Sequence, residues 1–145
     1  MKHIVFLCTG NTCRSPMAEG MFNALANGQY RASSAGLYTV SGMPPSDFAV
    51  QAAAKYGADI SGHTSRMLTK EIAEKAEYLI CMTAAHYDRM MELYPMFRKK
   101  IYTISGEDIP DPFGCSLERY EQCAAQLYDA VKQVLKNIRK EDETL

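Results

Sequence analysis

The sequence predicts an α/β protein: a four-stranded parallel sheet with helices on both faces. Short apolar runs rich in strand-forming residues alternate along the chain with amphipathic stretches of helical period. Such alternation implies right-handed crossovers, and therefore parallel strands covered on both sides. A length of 145 residues, 47% hydrophobic and 23% charged, is enough for one packed domain spanning residues 1–145.

Residues 3–7 form a nearly continuous apolar run, the pattern of a strand buried on both faces. After a loop, Ser15-Pro16 predicts a helix start, with a capping hydroxyl and then proline at the first helical position. Met17, Met21, Phe22 and Leu25 mark its inner face, and Asn27-Gly28 stops it. Residues 30–34 make a second strand. A long loop with Gly36, Gly42, Pro44 and Pro45 then leads to a helix over 47–56, closed by Gly57. A short helix over Lys70–Lys75 precedes a strand over 78–82, and Thr83 caps a helix running to Leu93, before Pro95. Residues 101–104 read as the fourth strand and 105–115 as a loop with two prolines. The last helix is the clearest, because Leu117, Tyr120, Ala124, Leu127, Val131, Val134 and Ile138 recur on one face. Residues 141–145 read as a frayed polar tail.

Sixteen Lys and Arg against 17 Asp and Glu leave a net charge of −1, so no broad footprint for nucleic acid or anionic membrane is expected. The amino-terminal apolar run is too short for a signal peptide, and no stretch approaches the roughly 18 apolar residues of a membrane span. The chain is expected in the cytoplasm. Its five cysteines (8, 13, 81, 115 and 123) are odd in number and unevenly spread, as reduced thiols would be. No Cys-x-x-Cys or His/Cys cluster calls for a metal, and no cofactor is expected.

Ligands of parallel sheets bind at the carboxyl ends of strands, which directs attention to the segment after the first strand. It reads Cys8-Thr9-Gly10-Asn11-Thr12-Cys13-Arg14-Ser15. A loop of this length can curl until its backbone N–H groups converge, making the segment from Thr9 to Ser15 a candidate phosphate cradle. Gly10 permits and Asn11 tolerates left-handed backbone, so sharp curvature is feasible at both positions. The following helix aims its positive end at the same spot, and Arg14 adds a planar fork for two phosphate oxygens. At the bottom of the cradle, Cys8 is expected to have its pKa lowered from an ordinary ~8.5 toward or below neutrality. A thiolate beneath a phosphoryl group is a nucleophile held in line with phosphorus. Asp111, between Pro110 and Pro112 at the same sheet edge, is the candidate acid for the leaving group. Tyr38 with Leu37 beside it, and Phe113 opposite, are the candidate walls of the cleft. Cys13, at the far end of the loop, is placed to trap an oxidised Cys8 as a disulfide.

These residues resemble the low-molecular-weight protein tyrosine phosphatase family. Residues 8–16, residues 33–36, His63 and Asp111-Pro112 fall in the family's order and spacing, through almost the whole chain. The resemblance implies a flavodoxin-like sheet, a phosphocysteine on Cys8, Asp111 as general acid and Arg14 gripping the phosphate. It also implies that Ser15 hydrogen-bonds the Cys8 thiolate, and that Asn11 is strained and held by Ser34 and His63. The expected partners are phosphorylated protein side chains, with phosphate or other oxyanions in the site, and neither nucleic acid nor membrane. Two positions depart from the familiar members: Thr12 replaces a bulky aliphatic, commonly Ile, and Phe113-Gly114 replaces a pair of tyrosines. Residues 8–19 are similar to the bacterial protein-arginine phosphatase branch, so phosphotyrosine and phosphoarginine are both open as substrates. An arsenate reductase shares the loop and is the alternative, but it needs a relay of two further thiols close together on a mobile segment. Cys81 falls in an expected buried strand, and residues 82–95 hold no partner for it. A non-catalytic phosphate-binding module would need neither Cys8 nor Asp111.

Overall fold

The structure, a computed structural model, describes residues 1–144. Its four strands are β1 (His3–Cys8), β2 (Arg31–Gly36), β3 (Tyr78–Cys81) and β4 (Ile101–Thr103). They pair in parallel in the order β2-β1-β3-β4, with Cys8 opposite Gly36 and Leu7 opposite Cys81. The chain leaves β1 for one neighbour and later returns to the other side of β1 to form β3. The carboxyl end of β1 is therefore the switch point of the sheet, where the crossovers part and leave a crevice.

Side chains alternate across each strand, so the two faces of β1 feed two apolar layers. Ile4, Phe6 and Cys8 pack with α1 (Arg14–Ala26), α2 (Asp47–Ala54) and α5 (Leu117–Glu143). Val5 and Leu7 pack with residues of α3 (Lys70–Lys75) and α4 (Ala84–Leu93). Helices thus cover both faces. Thr83 caps α4 by accepting from His86 N, and Asn27 ends α1 in the left-handed region at φ 48.

Several boundaries differ from the sequence expectation. Helix α1 begins at Arg14 with Cys13 as its cap, because the Ser15 hydroxyl bonds the Cys8 sulfur rather than the helix end. Strand β2 reaches Gly36, since its end pairs with the end of β1. A 3-10 helix over Pro95–Lys100, not expected from the pattern, leads into β4. The polar tail is not frayed at 141. Helix α5 continues to Glu143 because Tyr78 Oη donates to Glu141 at 2.6 Å, while Lys2 pairs with Asp142 at 2.6 Å. Tyr30 Oη also donates to Asp142, and Leu145 lies outside the described residues. Among the described residues no helix is long and apolar enough to cross a membrane.

Leu127 is fully buried on α5, in the larger apolar layer. Leu127→Ala should cost about 2–5 kcal/mol of stability, read from urea unfolding. A loss below about 1 kcal/mol would mean that the layer repacks around the gap.

Candidate active site

The loop between β1 and α1 is bent by one residue. Asn11 is fully buried with φ 56, while Gly10 does not use the left-handed region open to it. That backbone costs a side-chain-bearing residue roughly 1–2 kcal/mol, and it persists here because every polar group of Asn11 is occupied. Its Nδ2 donates to Ser15 Oγ and Ser34 Oγ, both at 2.9 Å. Its Oδ1 accepts from Arg66 N at 3.0 Å, and its carbonyl accepts from His63 Nε2 at 2.8 Å. Ser34 passes its own hydrogen to Glu19 Oε1 at 2.7 Å, and the Arg66 side chain binds Ser34 O and Ser33 Oγ. Gly36 lets the loop lie against the end of β2. A Cβ there would stand 2.7 Å from Thr9 O. In that close approach Leu37 N and Tyr38 N donate to Cys8 O and Thr9 O, each at 3.0 Å.

Cys8 is 2% exposed, its sulfur 2.8 Å from Ser15 Oγ and 3.3 Å from Asn11 N. Ser15 Oγ already accepts from Asn11, so its hydrogen is free to donate to the sulfur. The expected depression of the thiol is corrected here: burial, the largest effect, pushes Cys8 above its ordinary value. The Ser15 hydroxyl, the Ser15 amide, Arg14 and the Asn11 amide all pull the other way, as the cradle argument requires. They are outweighed because the sulfur has almost no water around it.

Arg14 is buried, donating from Nη1 to Ile109 O at 2.9 Å, with Nη2 3.6 Å from Asp111 Oδ2. Asp111 accepts from Phe113 N at 3.0 Å, a turn within its own loop. That loop is tied to the end of β3 by Ile109 N to Met82 O at 3.0 Å, and to α4 by Ala84 N to Asp108 Oδ1 at 2.9 Å. Cys8, Thr9, Gly10, Asn11, Thr12, Cys13, Arg14, Asp111 and Phe113 line one pocket of about 200 Å³. Backbone amides, a helix N-terminus and a guanidinium around one sulfur can bind an oxyanion and present the sulfur to it.

The expected walls are brought to the site only in part. Phe113 lines the pocket, but Leu37 and Tyr38 do not. The alternation of β2 carries past Gly36, so Leu37 falls beside Ala35 in the smaller apolar layer. Tyr38 lies on the surface, its ring 5.9 Å from the Arg89 guanidinium. All five cysteines are free. Cys13 Sγ sits 3.3 Å from Ser46 Oγ and 3.4 Å from Tyr120 Oη. Burial pushes Cys81 and Cys123 each up to about 12.

Residues 3–144 match the family model described as low molecular weight phosphotyrosine protein phosphatase. The chain belongs to this family. A protein-arginine-phosphatase of Bacillus subtilis is 33% identical, covering 95% of this chain and 97% of its own. The structure of YwlE arginine phosphatase from Geobacillus stearothermophilus superposes with a TM-score of 0.93 at 29% identity, over 99% of this chain and 97% of that one. A low molecular weight protein tyrosine phosphatase from T. tengcongensis does so with 0.89 at 36%, over 94% and 99%. Within this phosphatase framework Glu19, Arg66, Ser46 and His86 support the loop without having been singled out in the sequence. Each acts through a contact between distant segments; Arg66, Ser46 and His86 lie outside the motifs read from the sequence, and Glu19 ends the stretch 8–19 without a role having been assigned to it.

The Ser15 hydroxyl favours the charged form of Cys8, so Ser15→Ala should raise the thiol pKa further. Alkylation of Cys8 by iodoacetamide, which needs the thiolate, should then slow at fixed pH. Its pH limb should move upward by about 1–2 pH units, the value of a hydrogen bond to a charged group. An unmoved limb would show that Ser15 does not act on the sulfur.

Proposed function

We propose that residues 1–145 act as one cysteine-dependent protein phosphatase, working through a phosphocysteine on Cys8, with phosphoarginine as well as phosphotyrosine among its substrates. The observation that carries the reading is that Cys8, the cradle through Arg14, and Asp111 line the same pocket. A nucleophile, an anion site and a proton donor are the three parts that phosphoryl transfer requires.

The cradle amides and Arg14 hold the non-bridging oxygens. Cys8 attacks phosphorus as the thiolate, the form that the Ser15 hydroxyl, Arg14 and the Asn11 amide favour. The S–P bond forms as the P–O bond to tyrosine, or the P–N bond to arginine, breaks. Asp111 supplies the proton that the leaving oxygen or nitrogen takes. Its carboxylate then accepts a proton from water as that water attacks the phosphocysteine. The S–P bond breaks, releasing inorganic phosphate and returning Cys8. Ser34 and His63 serve as loop supports through Asn11.

Thr12 supports phosphoarginine as a substrate. It lines the pocket, half-buried, where an Ile would offer a larger apolar surface to a phosphotyrosine ring. A threonine leaves room and offers a hydrogen bond to a planar guanidinium or to the attacking water, while Phe113 supplies an apolar wall. The names of the arginine-phosphatase relatives point the same way. Free thiols support a place in the cytoplasm. An arsenate-reducing relay gains no support, since Cys81 is fully buried in β3. Under peroxide, Cys8 would become a sulfenic acid with release of water, and the Cys13 thiol would displace a second water to form a disulfide. Cys13 would first have to leave Ser46 and Tyr120.

Cys8→Ser should abolish turnover of p-nitrophenyl phosphate yet still bind vanadate. Asp111→Asn should lower kcat by roughly 10²–10⁴, most with poor leaving groups. Residual turnover in the serine variant, or an equal loss for all leaving groups in the asparagine variant, would overturn these roles. Thr12→Ile should shift the ratio of kcat/KM values from phosphoarginine toward phosphotyrosine peptides by about 1–3 kcal/mol. An unchanged ratio would remove Thr12 from specificity.

A further inference from the structure

His86 is a buried histidine that the phosphoryl-transfer steps leave unused, although it touches the cradle. It sits in the first turn of α4, 8% exposed, with both ring nitrogens engaged. Nδ1 lies 2.9 Å from Thr83 Oγ1, and Nε2 lies 2.8 Å from Thr9 Oγ1. Thr83 Oγ1 already accepts the capping N–H of His86 at 3.1 Å, which leaves its hydroxyl hydrogen for Nδ1. In the tautomer that uses that hydrogen, the imidazole carries its own hydrogen on Nε2 and donates it to Thr9 Oγ1.

Thr9 lines the pocket, and Thr9 Oγ1 makes no other side-chain hydrogen bond among the described residues. An exposed threonine would otherwise sample more than one rotamer. With its oxygen accepting from His86, the Thr9 hydroxyl keeps one hydrogen, and that hydrogen suits an acceptor such as a phosphoryl oxygen. A second restraint acts on the same residue, since Thr9 O accepts from Tyr38 N at 3.0 Å. The first turn of α4 is also bonded to the acid loop through Ala84 N and Asp108 Oδ1 at 2.9 Å, so His86 stands on a fixed base. Burial, and then Arg14, push its imidazole down to about 4, which keeps it neutral, with one donor and one acceptor, near neutral pH.

We propose that His86 is a positioning residue of the phosphatase site, holding the Thr9 hydroxyl at the rim of the cradle with its hydrogen directed to a phosphoryl oxygen. The proposal rests on the reading of Cys8 and its loop as the phosphoryl-transfer site. It adds a residue of α4, far from the loop in sequence, to the binding of the anion.

The test is a double-mutant cycle on the full chain, read as kcat/KM for p-nitrophenyl phosphate and as the inhibition constant of inorganic phosphate. His86→Ala and Thr9→Val should each lower kcat/KM, and weaken phosphate, by about 3- to 10-fold, the value of one hydrogen bond. The double variant should lose no more than either single one. His86→Gln, whose amide N–H can replace Nε2–H, should recover most of the loss. Full activity in Thr9→Val, additive losses in the double variant, or a His86→Gln enzyme as impaired as His86→Ala would each overturn the proposal. Should His86→Ala fail to fold, Thr9→Val and His86→Gln still decide it. Turnover surviving in Cys8→Ser would instead sink the underlying reading, a result separable from every outcome of the cycle.

Discussion

Asn11 adopts a left-handed backbone inside a fully buried loop, a conformation that a side-chain-bearing residue keeps only where its neighbours leave no alternative. Those neighbours come from three places: Ser15 from α1, Ser34 from β2, and His63 with Arg66 from the loop before α3. The bend at Asn11 sets its own N–H on the Cys8 sulfur. The shape of an eight-residue loop thus depends on β2 pairing with β1 in one register, with Gly36 opposite Cys8 so that Thr9 can pass over it.

The site is built around an electrostatic conflict. Groups that favour an anion surround Cys8, yet the burial that organises them also disfavours its charged form. The conflict follows from the position of Cys8 at the end of β1, facing the larger apolar layer. On the phosphatase reading proposed above, donors to the sulfur that are already in place would leave little reorganisation for the reaction. The Arg14 guanidinium connects this floor to the acid loop, bonding Ile109 O while lying 3.6 Å from Asp111.

The rim of the pocket is chemically divided. Thr9 and Thr12 place two hydroxyl-bearing residues on the cradle side, and Phe113 provides the apolar side. With Leu37 in the smaller apolar layer and Tyr38 at the surface, Phe113 is the one of the three expected wall residues that lines the pocket. A rim of this kind is compatible with a polar planar group beside the phosphate, which is the physical sense of the phosphoarginine reading.

Features set by neighbours along the chain were readable from the sequence. The alternation of strands and helices, the apolar face of α5, the Thr83 cap and the Asn27 stop are local in origin, governed by side-chain period and backbone preference. The loop from Cys8 to Ser15 was readable for the same reason, since its chemistry lies in consecutive residues. The family resemblance already implied Ser15 on the Cys8 sulfur and a strained Asn11 held by Ser34 and His63, as the structure has them. The tertiary structure decided the partners outside that motif: it added Ser15 and Arg66 to the bonds on Asn11, set Glu19 on Ser34, and turned Leu37 into the core. It also carried α5 on to Glu143, through Tyr78, Tyr30 and Lys2. The direction of the Cys8 titration belongs with these. Local groups favour the thiolate, but the cost of desolvation is summed over every segment packed around the sulfur, and no local stretch of sequence contains that sum.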